Sequence, residues 1–490
     1  MEGEHAIGRT VISPSRDWGD CRGNIGAEGA VIVFSMLRSV RIGVATVKMP
    51  ALFLACLLPG LFGLPCAAQS TSAPEDPVAI LVKTALENNP GLKAQRLKVS
   101  AALEKPHEAR ALPDPAADVE FMMLPASHLN ARDAVTKGVS VGITQALPYP
   151  GKRKLREDKA RREAEAAEAD LHAMESDLAG EVKVAAYRYA LYIRLLELNS
   201  RKAGSLRAAE QGAMGLYSSG GGTQADLLSA QTAITRNEKE RLDLEQELDI
   251  TAARLDDLLG GQAERALLDK VALAEVSWPP RLESLLAGSR KRAPRVIAAQ
   301  AGEQVEEQQA DIARSDFKPD FTVGGRYRHN DVTMGGGNYF TVMAGMTLPF
   351  FHRKDRYQPA LEEALAKREG AKQETSNVIN QVRYELTEAW QNASHDRAVF
   401  DLLQNGLLIQ AKQAYESSLN SYSAGRTDFA TLLKALADFY DYQGEALTAQ
   451  ADFLMARSRM ESLLGLPSLE LATNVGTAST DSSPDNQKEN

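Results

Sequence analysis

Two periods of apolar patterning divide this chain. In Ala117, Val119, Phe121 and Met123 the odd positions are apolar, and in Val139, Val141, Ile143 and Leu147 they are apolar again, with Ser140, Gly142 and Thr144 between them. Alternation with a period of two marks strands with one apolar face. It predicts strands over about 116–124 and 137–147, close to the roughly 9–11 residues that a tilted membrane strand needs. Phe321, Val323 and Tyr327 mark a third strand (about 319–328), and Phe340, Val342, Ala344, Met346 and Leu348 a fourth (about 339–348). This register turns positions 119, 121, 139, 141, 143, 321, 323, 327, 340, 342, 346 and 348 toward lipid, and Asp118, Glu120, Arg326 and Arg328 toward a lumen.

The rest of the chain follows a helical period. Lys152 to Tyr217 contains no proline and is rich in Ala, Glu, Arg and Leu. At about 1.5 Å per residue this is a rod near 100 Å long, which only another long helix can cover. Tyr217-Ser-Ser-Gly220-Gly-Gly-Thr223 then reverses the chain. The glycines supply the positive φ of a helix end, and Thr223 caps a returning helix over 224–259. The same phrase returns 205 positions later as Tyr422-Ser-Ala-Gly425-Arg426, with Thr431-Leu-Leu-Lys434-Ala435 after it. Both returning helices close alike, on Arg254-Leu-Asp-Asp-Leu-Leu-Gly260 and Arg459-Met-Glu-Ser-Leu-Leu-Gly465, and Tyr to Gly is 43 positions in each.

Equal spacing at two places marks an internal duplication. The first repeat spans 69–280 with a helical hairpin over 152–259, and the second 281–469 with a hairpin over 354–465. Each opens with a short amphipathic helix, a break at Asn89-Pro90 or Ala293-Pro294, and a half-length helix that ends before Pro115 or Pro319. From these lengths, 224–259 is expected to stack end to end with 296–315, and 428–465 to find its continuation in 91–112. The fold class is therefore mostly α, built of long antiparallel hairpins, with a small transmembrane β part and an internal two-fold repeat.

Composition narrows the function. Of 490 residues 25% are charged and 6% aromatic, which suits long solvated helices. The net charge of −9 argues against nucleic acid as a partner. Cys21, Cys56 and Cys66 all lie near the front, so the body holds neither a disulfide framework nor a thiolate metal site. Residues 1–68 read as a leader: Arg38, Arg41 and Lys48 precede the apolar run Met49–Leu64, and Cys66-Ala-Ala68 is a small-residue cleavage site. Residues 1–35 do not fit a signal, so the start is expected at Met36 or Met49, and lipidation of Cys56 or Cys66 stays open. Residues 470–490 read as a disordered tail. No later segment spans a membrane as an apolar helix, so entry requires a β-barrel.

No catalytic, cofactor or metal constellation survives: the chain has no His-Glu-x-x-His, no Gly-x-Ser-x-Gly and no phosphate loop, and no enzymatic activity is expected. His128, His329 and Met334, near Met122 and Met123, fall in two outer loops, as a soft-metal exit or as ordinary loop residues. Lys152, Arg153, Lys154, Arg156 and Lys159 form a basic run below the strands, solvated or facing lipid headgroups.

The duplication, the strand pair inside each repeat, the rods and the Tyr-x-x-Gly…Leu-Leu-x-Ala turns together resemble the TolC-like outer-membrane efflux channels, from about Asp76 to Gly465. Gln145-Ala-Leu-Pro-Tyr-Pro-Gly-Lys-Arg153 is similar to the heavy-metal branch, which works with resistance-nodulation-division pumps. The resemblance implies a homotrimer in outer-membrane lipid, with four strands per chain in one twelve-stranded barrel and the rods as a periplasmic α-barrel. It also implies a periplasmic adaptor and an inner-membrane pump as partners. Physics agrees that four strands cannot close alone, since the smallest common barrels have about eight. The turns would form the periplasmic gate, with Gly220, Asp226, Gly425, Arg426, Thr431 and Lys434 as its residues. Where some relatives narrow the entrance with acidic residues, this chain has Thr431 and Lys434. Asp226 and Arg426 are expected as a latch between the turns. A type I protein-secretion duct uses the same design, and a periplasmic coiled-coil adaptor is the non-transporting alternative, disfavoured by having two hairpins with paired strands.

Overall fold

The computed structural model describes residues 76–121, 138–261, 263–274, 278–330 and 337–469. The three cysteines, the leader, the 470–490 tail, and Met122, Met123, His128 and Met334 lie outside these residues. Helix α1 (Pro77–Asn88) starts on the carboxylate of Asp76, which accepts from Val78 N at 3.1 Å. Asn89 caps α2 (Pro90–Arg110) in the same way, with Pro90 in the first turn, where its missing N–H costs nothing. Strands β1 (Ala116–Phe121) and β2 (Gly138–Leu147) lead to the first rod, α3 (Lys152–Ser218), 67 residues without a break. Its returning helix is α4 (Gln224–Leu259).

One turn, α5 (Arg265–Leu268), precedes the second copy: α6 (Leu282–Arg292), α7 (Pro294–Ser315), β3 (Phe321–Asn330) and β4 (Gly337–Met346). The second rod differs from the uninterrupted helix that its proline-poor sequence predicts. It opens with a π turn (Arg353–Tyr357), runs as α8 (Gln358–Leu402), passes a second π turn (Leu403–Leu407) and ends as α9 (Leu408–Ser423). From the proline after the strands to the turn tyrosine, Pro349 to Tyr422 is four residues longer than Pro148 to Tyr217. Each π turn takes up an inserted residue without ending the helix. The last helix is α10 (Phe429–Leu463).

The helices pack as a wall. At the strand end α3 lies between α2 and α7, and α8 lies beyond α7; at the turn end α3 lies between α4 and α10, and the second rod lies beyond α10. The half helices stack as α4 with α2 and α10 with α7, which corrects the pairing expected from lengths. Asn89 Nδ2 donates to Leu258 O at 3.0 Å, and Gly260, at φ +70°, sits so close to Asn88 that a Cβ would lie 2.7 Å from its carbonyl oxygen. Gly465 packs on Pro294 in the same way.

The physical reason is the short helix that opens each repeat. Val78, Leu81 and Ala85 of α1 bury against Val182, Ala186, Leu255 and Leu258, pinning the start of α2 to the end of α4. Leu285 of α6 does the same against Leu386, Ala389 and Met460. Each repeat therefore closes on itself, and Leu81, Val182 and Leu255 have their counterparts in Leu285, Leu386 and Met460.

The sheet is antiparallel in the order β1-β2-β3-β4, with β1 and β4 as open edges. Val119, Val141, Tyr327 and Phe340 stand in one row across it. Among the described residues no helix is long and apolar enough to cross a membrane.

Candidate functional site

The register divides the sheet by chemistry. One face carries Val119, Val141, Ile143, Tyr327, Phe340 and Val342, all exposed, Val342 at 76%. The other face gathers the charges. The Arg326 guanidinium donates to Glu120 through Nη1 and to Asp118 through Nη2, at 2.6 Å each. Ser140 Oγ donates to Glu120 at 3.2 Å. Gly142 makes room for this fork, because a Cβ there would lie 2.7 Å from an Asp118 oxygen. Arg328 shares the face, and its Nε is buried without a hydrogen-bond partner. All four charged strand residues therefore lie opposite the apolar row.

Gln145 to Arg153 forms the joint between sheet and rod. Tyr149 N donates to Asp320 at 2.8 Å. Lys152, the one residue of the basic run that is buried, reaches Asp320 at 3.0 Å and Asp316 at 3.5 Å. Arg153 donates to the carbonyl of Arg110.

At the far end of the rods both turns are held by glycine. Gly220 has φ +79° and Gly425 φ +68°, a region that costs a Cβ-bearing residue but not glycine. Gly221 N and Gly222 N close on Leu216 O at 2.8 and 3.0 Å, and Arg426 N closes on Ser421 O at 2.9 Å. Thr223 and Asp226 form a capping box: Thr223 N donates to Asp226 Oδ2 at 3.1 Å and Asp226 N to Thr223 Oγ1 at 3.2 Å. In the second turn Asp428 caps α10 and accepts from Thr431 N at 3.2 Å. Hydrogen bonding from Thr431, its side chain first and then its backbone N–H, holds the Asp428 carboxyl below its ordinary value.

The expected pair between Asp226 and Arg426 does not form. Asp226 commits its carboxylate to its own helix start, and Arg426 is exposed. Asp226 faces the second hairpin through Tyr422 instead: burial first, then the Asp226 charge, push the Tyr422 phenol up. Tyr422 packs on Phe429 at 5.2 Å between ring centroids, and its hydroxyl is buried without a partner. Thr431 and Lys434 are both exposed on α10.

Two ties escaped the sequence reading, one reaching from the first hairpin to the second and one inside the first. Lys202 of the first rod reaches Glu240 at 3.2 Å and Asp441 at 3.1 Å, joining α3, α4 and α10. Burial works against its charge, but the bonds to Asp441 and Glu240 more than offset it and hold the ammonium above its usual value. Asn199 and Asn237, both buried, exchange amide hydrogen bonds at 3.2 Å. An Asn at an apolar position of a long helix was the available signal, since buried amides fix helix register. No group of three or more His, Cys, Asp and Glu able to hold a metal occurs among the described residues.

Comparison with known proteins gives the same outline. The family profile described as outer membrane efflux protein matches residues 81–261 and 285–466, the two repeats in turn. The chain is similar to the pyoverdine export outer membrane protein OpmQ of Pseudomonas putida, 22% identical over 341 residues, 68% of this chain and 71% of that protein. In fold it is similar to the outer membrane protein VceC of Vibrio cholerae, with TM-score 0.66 and 18% identity, covering 79% of this chain and 96% of VceC. It is also similar to the open state of the Neisseria gonorrhoeae outer membrane channel MtrE, with TM-score 0.66 and 17% identity, covering 79% and 89% of the two chains.

Proposed function

Because the chain belongs to the outer membrane efflux protein family, we propose that it is the passive outer-membrane duct of a tripartite export system, a homotrimer serving a periplasmic adaptor and a resistance-nodulation-division pump. The observation that carries this reading is the sheet. Four strands with one apolar face, one charged face and two open edges are unstable in lipid unless other copies supply the missing pairs. Three copies give twelve strands, with Asp118, Glu120, Arg326 and Arg328 toward water and Val141 and Val342 toward lipid.

The mouth of the duct is assigned to the turns at Gly220 and Gly425, the reversals farthest from the sheet. Asp226, Arg426, Thr431 and Lys434 are its polar residues, and an adaptor hairpin would meet this end. Asp226 would hold the closed state through its cap on the start of α4. The Asp226→Ala variant is expected to raise the leak conductance of isolated channels in planar bilayers. An unchanged leak removes Asp226 from the gate. Lys434 would favour anions at the narrowest ring.

Metal ions as cargo are favoured by the Gln145–Arg153 phrase. The relative named for pyoverdine export favours an organic solute instead. A strain lacking this chain that becomes sensitive to divalent metal salts but not to organic drugs supports metal export, and the opposite pattern supports organic solutes.

A further inference from the structure

The apolar face of the sheet ends at the row Leu147, Phe321 and Met346. Just beyond it the two repeats write one phrase twice. It reads Pro148-Tyr-Pro-Gly-Lys152-Arg-Lys-Leu-Arg156 before the first rod and Pro349-Phe-Phe-His-Arg353-Lys-Asp-Arg356 before the second. Each is an aromatic step followed by cations. Phe350 and Phe351 are 62% and 70% exposed. The cations stand where a helix disfavours them, because a helix start carries partial positive charge and selects acidic residues. Asp226 and Glu283 obey that rule at the starts of α4 and α6. The first turn of α3 has no acidic residue, and the π turn that opens the second rod has Asp355 alone among Arg353, Lys354 and Arg356. Both rods break the rule at the same level, so the reason for these cations lies outside the helices.

The chain does not cancel this charge. Lys152 is spent on Asp316 and Asp320, and Arg110 lies 3.8 Å from Glu157. Arg153 donates to a carbonyl, that of Arg110, which leaves its charge uncompensated. Lys318 lies over the Tyr149 ring at 5.0 Å. Lys154, Arg156, Arg353, Lys354 and Arg356 have no ion-paired carboxylate among the described residues, and all five are exposed. The carboxylates left unpaired here are Asp114, Asp355 and, a turn further along the first rod, Asp158. The joint is thus cationic in a chain whose net charge is −9. The cations also share a side with the apolar face. A hollow of about 650 Å³ is walled by Leu147 and Tyr149 together with Arg110, Arg153 and Lys154, and Glu157, Asp158 and Arg161 line it further along the rod. Leu147 belongs to the apolar face, so the hollow continues that face into the basic run.

We propose that the joint is a headgroup belt that binds anionic phospholipid, phosphatidylglycerol, in the leaflet on the rod side of the membrane. Aromatic rings settle at the boundary between acyl chains and headgroups, and Lys and Arg just beyond it attract lipid phosphates. An anionic surface also removes the conflict at the helix starts, because it supplies the negative charge that the first turns lack. The duplicated phrase sets one segment of belt at the head of each rod, and three copies close it into a ring around the barrel. The ring rests on the duct reading above; the preference for anionic lipid does not.

Purified full-length protein in detergent is offered equal amounts of phosphatidylglycerol and phosphatidylcholine, and the lipids it retains are counted by native mass spectrometry. Wild type is expected to retain about fivefold or more phosphatidylglycerol than phosphatidylcholine. The K154Q/R156Q/R353Q/K354Q variant is expected to retain the two lipids equally. Its melting temperature should be unchanged or raised, because the helix starts lose an unfavourable charge. The R194Q/K239Q/K367Q/K412Q variant removes as many exposed cations far from the joint and is expected to keep the wild-type preference. Equal retention by wild type, a preference that survives the joint variant, or one lost equally in the distant variant overturns the belt. Insertion is read separately, by washing phosphatidylcholine vesicles carrying the protein with alkaline carbonate. Wild type that washes off overturns the membrane reading and the ring with it, while the ratio of retained lipids still judges the preference.

Discussion

Helix α10 of the second hairpin is clamped between the two rods, whereas its counterpart α4 leans mainly on the first rod. The burial follows. Phe453, Leu454, Met455 and Ala456 are buried in succession, so α10 is covered on every side over that stretch. On α4, Leu228, Leu242 and Ile250 stay more than half exposed. At the opposite border the second rod leaves Tyr384, Leu402 and Ile409 equally bare. Two copies of one sequence plan thus end in different surroundings, because the returning helix of one lies inside the wall and that of the other at its border. Apolar borders on both sides of a wall suit the proposed assembly, in which neighbouring copies would cover them. The open edges β1 and β4 point to the same conclusion at the sheet.

The largest expected effect tests how far the symmetry holds. Leu255 and Met460 are counterparts and both are fully buried. Leu255→Ala and Met460→Ala should each cost about 2–5 kcal/mol in equilibrium unfolding of the purified protein. A negligible cost at either one breaks the claim that each repeat closes on its own core.

A smaller effect sharpens the difference between the hairpins. Asn199→Leu strands Asn237 as a buried amide and should cost about 1–3 kcal/mol. The double change Asn199→Leu/Asn237→Leu should recover most of that loss, because no polar group is then left unpaired. The second hairpin has no such pair: the π turn at Leu403–Leu407 occupies the corresponding level. If the double variant is no better than the single one, the amides contribute more than a register lock.

The smallest effect is a pH dependence. Burial raises the carboxyl groups of Asp396 and Asp452 above their ordinary value, and the Asp452 charge raises Asp396 further. The folded state then holds these protons more tightly than the unfolded chain does. Their contribution to stability is therefore full below the ordinary carboxylate range and is lost as pH rises through the raised values. Thermal melts should show Asp452→Asn flattening that decline. A decline that steepens instead would place Asp452 among the stabilising charges.

Much of this was legible in the sequence. The period-two runs placed Val119, Val141, Tyr327 and Phe340 on one face, and the backbone register carries them there, because a one-residue slip would move every side chain. The glycines at 220 and 425 were readable because positive φ selects them. The stacking of the half helices was not, since length alone does not reveal where α1 and α6 dock. Nor was the use of Asp226: its charge invited a partner on the other turn, but a capping box three residues wide is nearer than any side chain across the mouth.

The central claim is that three copies line one water-filled pore with the charged face of their sheets. Thr341 and Val342 are adjacent on edge strand β4, both exposed, and on opposite faces. In protein whose native cysteines are replaced by serine, Thr341→Cys and Val342→Cys channels are placed in a planar bilayer and treated with a charged, membrane-impermeant thiol reagent. Single Thr341→Cys channels should lose current in three steps, one per protomer, and Val342→Cys channels should be untouched. Block of Val342→Cys channels with Thr341→Cys channels unaffected would turn the sheet inside out, and a number of steps other than three would contradict the trimer.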